Sequence, residues 1–298
     1  MSKQFSPELA NKSCWPKLAV FVGLALFSNV LGAQANKKTI DSDSGIAFSS
    51  AVVDQYRIHF AYAGDRDKPG IIFLHGTPGS WPAFEKYLAN KSLQEDYFMV
   101  SVDRLGWGKS RIGLATGGAS RRHAKTTSAF LLQARSIASV MRLYPAKKWL
   151  LVGHSLGSSI APKIALLEDN KVAGMLLLSG SLDPRLGKPR WYNQIAGTLL
   201  VKWMLPRALK FSNDEIMGLQ EELRHLESEL ATRKLAAEVV IMQGLKDRLV
   251  SPQNTSYVMK NWPRSFKNLR SIALPDAGHF LPWEQSELVI ETIRQFKF

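Results

Sequence analysis

The sequence is poor in cysteine, and it lacks internal repeats, low-complexity tracts and long hydrophobic runs. Cys14 is the only cysteine among 298 residues. A single cysteine excludes an internal disulfide and a zinc site built from several cysteines. The apolar stretch at 18–32 falls short of the ~20 residues that a membrane-spanning helix needs. A disulfide-stapled scaffold and a polytopic membrane protein are therefore excluded.

Acidic residues are also scarce relative to basic ones. The chain has 25 Asp and Glu against 39 Lys and Arg, which gives a formal net charge of +14. This balance favours anionic surfaces. The cations are spread along the chain without a basic stripe interleaved with aromatics, so we predict no nucleic-acid partner. Peripheral contact with an anionic membrane surface is the alternative that the charge leaves open.

The first 35 residues are typical of a secretory signal peptide. Lysines at 3, 12 and 17 precede the apolar stretch, and Ala33-Gln34-Ala35 then supplies a small-x-small cleavage pattern. We therefore expect residues 1–35 to be removed and the protein to be periplasmic or secreted. The alternative is an uncleaved membrane anchor, because the basic region is long and Lys37 and Lys38 follow the apolar stretch.

The remaining chain alternates between short apolar runs and helical spacing, and 45% of the full sequence is hydrophobic. Apolar runs that end in Gly, Pro or a polar residue favour strands buried on both faces. The predicted strands are 52–62, 71–74, 97–102, 149–152, 175–178, 239–242 and 271–274. The predicted helices are 126–144, 155–167, 252–262 and 282–296. Alternating strands and helices indicate an α/β fold with a mostly parallel sheet and helices on both faces.

One segment breaks this alternation. Residues 183–237 lie between two predicted strands but are too long for a single crossover helix. We interpret them as an inserted helical cap, with residues 36–182 and 238–298 forming the core. Aromatic residues in the first half of the cap either line a substrate pocket or pack the cap onto the core.

Gly153-His154-Ser155-Leu156-Gly157 is the strongest functional signal in the sequence. The G-x-S-x-G pattern follows a predicted strand and opens a predicted helix, which is the context of a nucleophile elbow. The flanking glycines remove the Cβ atoms that would clash in so tight a turn. We predict that Ser155 is a nucleophile and that the backbone N–H of Leu156 faces a developing oxyanion. A glycine-rich turn with an N-cap serine is the structural alternative.

A serine nucleophile needs a base and an acid. His279 follows the last predicted strand by a few residues, where its imidazole can reach Ser155. Asp247 follows the penultimate strand, so the order Ser155, Asp247, His279 is the one expected for a catalytic triad on an α/β sheet. Asp183, just after the preceding strand, is the alternative acid.

Two further loops follow predicted strands. His75-Gly76-Thr77-Pro78-Gly79-Ser80 is placed to supply a second oxyanion donor, and we predict the N–H of Thr77 for that role. The stretch from Asp103 to Ser110 is interpreted as a turn held by a pair between Asp103 and Arg104. No metal or cofactor site is predicted.

With these motifs in the observed order, the sequence resembles the α/β-hydrolase superfamily from about Val52 to the C-terminus. The motifs are H-G-T-P-G-S, D-R-L-G-W-G-K-S, G-H-S-L-G, G-L-K-D and G-H-F. The resemblance implies an eight-stranded, mostly parallel sheet with a cap, and a serine-nucleophile branch of the esterase and lipase kind. Relatives that act on haloalkanes or epoxides carry an aspartate where Ser155 stands, so those reactions are disfavoured.

The function predicted is therefore hydrolysis of a carboxylic ester on a small-molecule acyl substrate, without a cofactor. The same triad could instead serve amide, peptide, thioester or carbon–carbon bond cleavage, or cofactor-free peroxidation. A catalytically silent binding protein on this fold is the alternative of another class. The sequence leaves acyl chain length and oligomeric state open.

Overall fold

The computed structural model describes residues 39–40, 44–53, 56–112, 129–145 and 147–298. The predicted signal segment 1–35, with Cys14, and the predicted helix start at Thr126 lie outside the described residues. No helix in these ranges is long and apolar enough to span a membrane.

A single mixed sheet forms the centre of the described part of the chain. Its strand order is β1-β2-β3-β5-β4-β7-β8-β9-β10, with β6 paired to β3. The strands from β5 to β10 along this order run parallel, whereas β1, β2, β3 and β6 pair antiparallel. The strands are β1 Thr39–Ile40, β2 Ala47–Val53, β3 Tyr56–Ala63, β4 Gly70–Leu74, β5 Phe98–Val102, β6 Arg111–Ile112, β7 Trp149–His154, β8 Val172–Leu178, β9 Leu235–Gly244 and β10 Phe266–Leu274.

The predicted fold class is confirmed. Eight of the described strands are five residues or longer, and two strands of two residues each extend the antiparallel edge. The predicted strand at 52–62 covers parts of two strands, since β2 ends at Val53 and β3 begins at Tyr56. The register of β2 on β3 makes these two strands one antiparallel hairpin.

Helices cover both faces of the sheet. They are α1 Glu85–Leu88, α2 Lys91–Asp96, α3 Ala129–Arg142, α4 Leu156–Leu167, α5 Trp191–Gly197, α6 Leu199–Met204, α7 Arg207–Ala231, α8 Gln253–Asn261, α9 Leu281–Glu284 and α10 Ser286–Arg294, with a 3-10 turn at Trp81–Phe84. The single helix predicted at 282–296 is wrong. Gln285, with φ −126° and ψ 33°, leaves the helical region and divides it in two.

Alternating side chains of the strands feed two apolar cores, one on each face of the sheet. In β4, Ile72 and Leu74 enter the core that includes α3 and α4. Ile71 and Phe73 enter the opposite core, which includes α10. Because side chains alternate along a strand, a central strand that feeds both cores must be apolar at every position. This explains the continuous apolar runs in the sequence.

The segment between β8 and β9 is helical, as predicted for the inserted cap. Its longest helix, α7, buries leucines at 219, 223, 226 and 230, a spacing that forms one helical stripe. Two ion pairs fasten α7 to the core, Arg104–Glu215 at 2.6 Å and Lys163–Glu229 at 2.5 Å. In contrast, α5 and α6 bury no residue. The division of the chain into core and cap at 183 and 237 stays a prediction.

Candidate active site

Ser155 lies in a sharp turn between β7 and α4, at the carboxyl edge of the sheet. Its φ of 53° is in the left-handed region, which L-residues other than glycine rarely adopt. The Ser155 N–H donates to the carbonyl of Leu178 at 2.9 Å and thereby holds the turn against β8. A residue kept in such a conformation is held there by its surroundings, and strain of this kind clusters at functional sites.

Two glycines make this turn sterically possible. A Cβ at Gly157 would lie 2.1 Å from the carbonyl oxygen of Leu74, and a Cβ at Gly153 would lie 2.6 Å from the amide nitrogen of Ser158. Both distances are far inside van der Waals contact. Gly157 lets α4 begin directly against β4. Close packing therefore explains the glycines of the G-x-S-x-G pattern.

His279 and Asp247 form a buried hydrogen-bonded pair. The Nδ1–H of His279 donates to Oδ2 of Asp247 at 2.8 Å. Oδ1 of Asp247 accepts from the backbone N–H groups of Leu249 and Val250, at 2.9 and 2.8 Å. Burial by itself would raise the pKa of Asp247, but these hydrogen bonds, with that of His279 the strongest, hold its pKa below the ordinary value. Asp247 is therefore an oriented carboxylate.

Asp183, the alternative acid, lies in different surroundings. Its carboxylate accepts from the Arg185 guanidinium at 2.7 Å and from the Arg185 N–H at 2.8 Å. Its own N–H donates to Asn254 Oδ1 at 2.8 Å. The carboxylate therefore organises a local turn, and it makes no hydrogen bond to His279.

The other two histidines at this edge of the sheet are neutral. Burial, followed by the positive charge of Arg104, lowers the pKa of His75 to about 3. Its Nδ1–H donates to Gly76 O at 2.7 Å, while its Nε2 accepts from the Arg104 N–H at 3.0 Å. Burial likewise lowers the pKa of His154 to about 4, and its Nε2–H donates to the carbonyl of His279 at 2.9 Å.

One cavity of about 230 Å³ brings together the predicted nucleophile, base and oxyanion residues. Most of the other lining side chains are apolar or come from the cap. Its lining includes Thr77, Ser155, Leu156, Leu186, Lys188, Arg190, Tyr192, Asn193, Ile216, Leu219, Leu249, Val250 and His279. Three larger depressions in the described part of the chain, of about 600, 420 and 330 Å³, contain no histidine. The cavity with Ser155 is therefore the candidate active site.

The loop that carries Thr77 packs directly against the serine. A Cβ at Gly76 would lie 3.0 Å from the Cβ of Ser155. The Arg104 guanidinium donates to the carbonyls of His75 and Gly76, both at 2.9 Å. With these carbonyls held by Arg104, the chain at Thr77 runs along the cavity wall beside Ser155.

The predicted pair between Asp103 and Arg104 is wrong. Asp103 pairs instead with Nδ1 of His59 at 2.9 Å and accepts from the N–H groups of Trp81 and Lys109, both at 2.8 Å. Arg104 pairs with Glu215 of α7. The two partners lie 44 and 111 positions away in the sequence, which is why local motif reasoning missed them. No group of three or more metal-ligating side chains occurs among the described residues.

Comparison with known proteins reveals distant relatives. The chain is 26% identical to epoxide hydrolase 4 of Mus musculus over 41% of its length, which covers 31% of that relative. It is 27% identical to a proline iminopeptidase of Neisseria meningitidis over 60% of its length, covering 56% of that protein. The chain thus spans less than two thirds of either relative.

Comparison with solved structures identifies proteins that share the fold of this chain. The crystal structure of Cfl2 from Burkholderia cenocepacia superposes with a TM-score of 0.66 at 18% identity, over 88% of this chain and 99% of that one. The family model for the alpha/beta hydrolase fold matches residues 69–233, which is more than half of the sequence. On this match and the sheet topology, the chain belongs to the alpha/beta hydrolase fold family.

Proposed function

We propose that the protein is a serine hydrolase that cleaves carboxylic esters through an acyl-enzyme. The observation that carries the proposal is the hydrogen-bonded pair of His279 and Asp247, which opens onto the same cavity as the strained Ser155. Membership of a hydrolase-fold family and similarity to hydrolases are consistent with this chemistry, but they do not select the ester.

Each residue has a defined role in the proposed reaction. Nε2 of His279 takes the proton of the Ser155 hydroxyl as Oγ attacks the ester carbonyl. Asp247 holds the Nδ1–H of His279, which fixes the tautomer and stabilises the imidazolium that forms. The imidazolium then protonates the leaving alcohol. Water, activated by the same imidazole, releases the carboxylic acid and restores Ser155. Among the described residues no hydrogen bond joins the Ser155 hydroxyl to His279, whose side-chain partner is Asp247. Catalytic hydrogen bonds of this kind often form only in the substrate complex.

The oxyanion is proposed to bind to two backbone N–H groups. Leu156 is the first residue of α4, where the N–H is not used within the helix and the dipole favours negative charge. Thr77 supplies the second N–H from the loop that packs against Ser155. Each donor of this kind contributes on the order of 10²–10³ in rate.

Serine at the elbow supports acyl rather than alkyl chemistry. Attack by a hydroxyl on an ester gives an acyl-enzyme, which water hydrolyses by the same steps. Attack by the same hydroxyl on an epoxide would give an ether, which these groups have no means to hydrolyse. The similarity to epoxide hydrolase 4 therefore does not transfer its reaction to this chain.

Amide cleavage is the second candidate, because one relative is a proline iminopeptidase. The same residues could attack an amide, since the imidazolium protonates a leaving amine as well as an alcohol. Proline p-nitroanilide and p-nitrophenyl esters distinguish the two, and we expect the ester to be turned over faster.

The test is hydrolysis of p-nitrophenyl esters from acetate to palmitate by the full chain, beside Ser155→Ala. The matched control is Ser256→Ala, which removes an exposed serine of α8. We expect activity that only Ser155→Ala abolishes, with the preferred chain length reporting the cavity size. Labelling by a fluorophosphonate without ester turnover would indicate another acyl substrate. Absence of both would favour a silent binding protein.

A further inference from the structure

The first two cap helices present a strongly apolar surface to solvent. Of the large apolar side chains in the described ranges, the five most exposed all lie within α5 and α6. They are Leu199, Trp203, Leu200, Met204 and Trp191, exposed by 91%, 80%, 74%, 73% and 72%. We refer to these five side chains as the α5–α6 face. Positions 199, 200, 203 and 204 share one side of α6. An exposed apolar patch marks an interaction site more often than an ordinary surface does.

Basic residues flank this face in the sequence, and an acidic residue, Asp214, pairs with one of them. The stretch 188–213 contains no Asp or Glu and five cations: Lys188, Arg190, Lys202, Arg207 and Lys210. Among the ion pairs of the described residues, only that of Lys202 with Asp214 involves one of the five. The face therefore combines exposed Trp, Leu and Met with unneutralised positive charge, a composition typical of helices that lie in a membrane interface.

One of these helices, α5, also reaches the candidate active site. Tyr192 and Asn193 of α5 line the cavity that contains Ser155, as do Lys188 and Arg190 just before it. Trp191 and Tyr192 are neighbours in contact, with ring centroids 5.9 Å apart. One short helix thus borders the cavity on one side and carries part of the exposed face on the other.

We propose that the α5–α6 face docks the protein onto an anionic phospholipid bilayer. The Trp and Leu side chains insert at the boundary between headgroups and acyl chains, and the cations contact anionic headgroups. A second copy of the chain fits the face less well, because a symmetric contact would bring the two sets of cations together. If the proposed ester hydrolysis is also correct, docking puts the cavity next to membrane-borne esters, which become the favoured substrate class.

The test measures contact at the face itself, so that the N-terminal segment cannot imitate the result. The full chain carries Cys14→Ser and Leu200→Cys, with a polarity-sensitive fluorophore on the new thiol. The control carries the fluorophore at Lys267→Cys, an exposed site at the amino end of β10, away from the carboxyl edge of the sheet. Vesicles contain phosphatidylcholine alone or with one quarter phosphatidylglycerol.

We expect a blue shift at position 200 with anionic vesicles, a smaller one with neutral vesicles, and none at position 267. No shift at position 200, equal shifts at both positions, or equal shifts with both lipids would overturn the proposal. A shift that depends on protein concentration without vesicles would also overturn it, in favour of self-association.

A second set of variants tests the side chains directly by vesicle sedimentation. We expect the triple variant Leu199→Ser, Leu200→Ser, Trp203→Ser to bind anionic vesicles at least about tenfold more weakly. Replacing both Arg207 and Lys210 by glutamine weakens binding roughly 30-fold, at about 1 kcal/mol per cation near an anionic surface and about 1.36 kcal/mol per factor of ten. Leu167→Ser, at the far end of α4, is the matched control. Fluorophosphonate labelling of Ser155 on the same samples separates failure of docking from failure of the proposed chemistry.

Discussion

Two histidine–aspartate pairs lie buried among the described residues, and they differ in what surrounds them. His279–Asp247 and His59–Asp103 have nearly the same length, 2.8 and 2.9 Å. His279 lines the cavity beside Ser155, whereas His59 lies in β3, away from that cavity, and stacks on the ring of Phe48. A histidine–aspartate hydrogen bond alone therefore does not indicate catalysis. The histidine must also lie beside a nucleophile, as His279 lies beside Ser155.

Substitution of the two candidate acids tests this distinction. We expect Asp247→Asn to lower kcat for an ester on the order of 10⁴-fold, because His279 would lose the partner that fixes its tautomer. Asp183→Asn should leave kcat within a few-fold, because its carboxylate contacts Arg185 instead. Steady-state kinetics on p-nitrophenyl esters decide between them. A larger loss in Asp183→Asn would make our assignment wrong.

At the scale of elements, α7 is the helix between β8 and β9 that forms ion pairs with the core. Arg104 is fully buried and donates to both carboxylate oxygens of Glu215, at 2.6 and 3.1 Å. The same guanidinium binds the two carbonyls that precede Thr77. The position of α7 is thereby coupled to the loop proposed to bind the oxyanion.

Glu215→Gln tests that coupling. Removing one charge from a buried pair leaves Arg104 uncompensated, which destabilises the fold by about 3 kcal/mol. We also expect kcat to fall more than KM rises, because the Thr77 loop loses its support. Urea unfolding and ester kinetics measure the two effects. Glu221→Gln on the same helix removes an exposed pair with His225 and should change stability by less than about 0.5 kcal/mol.

For the whole molecule, buried neutral histidines make stability depend on pH. His75 and His154 have pKa values of about 3 and about 4 in the fold, against an ordinary 6.5 when unfolded. Between those limits the unfolded chain binds more protons than the native one. Stability therefore falls as pH decreases from 6.5 towards 4, by up to about 1.4 kcal/mol per pH unit for each histidine.

Urea unfolding at pH 7, 6 and 5 measures this slope. His154→Gln should reduce it, since glutamine does not titrate, whereas His225→Gln on the exposed face of α7 should not. A slope unchanged by His154→Gln would mean that His154 is protonated in the fold, contrary to its burial and its hydrogen bond to His279.

The sequence predicted those structural features that depend on the local backbone. The strand ends, the elbow at Ser155 and the positions of Asp247 and His279 after their strands follow from short apolar runs and glycine spacing. Prediction failed where distant segments meet: the pairs His59–Asp103 and Arg104–Glu215 require the tertiary fold. The break between α9 and α10 at Gln285 was also not predicted, because the helical spacing of apolar residues continues across it. Export through residues 1–35 stays a prediction.

The absence of buried residues in α5 and α6 has a consequence for how this protein can change. Mutations in the core disturb packing and cost stability, which limits the sequences that selection can sample. Substitutions between Trp191 and Met204 remove no core contact, yet they alter both a cavity wall and an outer surface. This stretch is therefore where an engineer could exchange segments while the packing of the core remains intact.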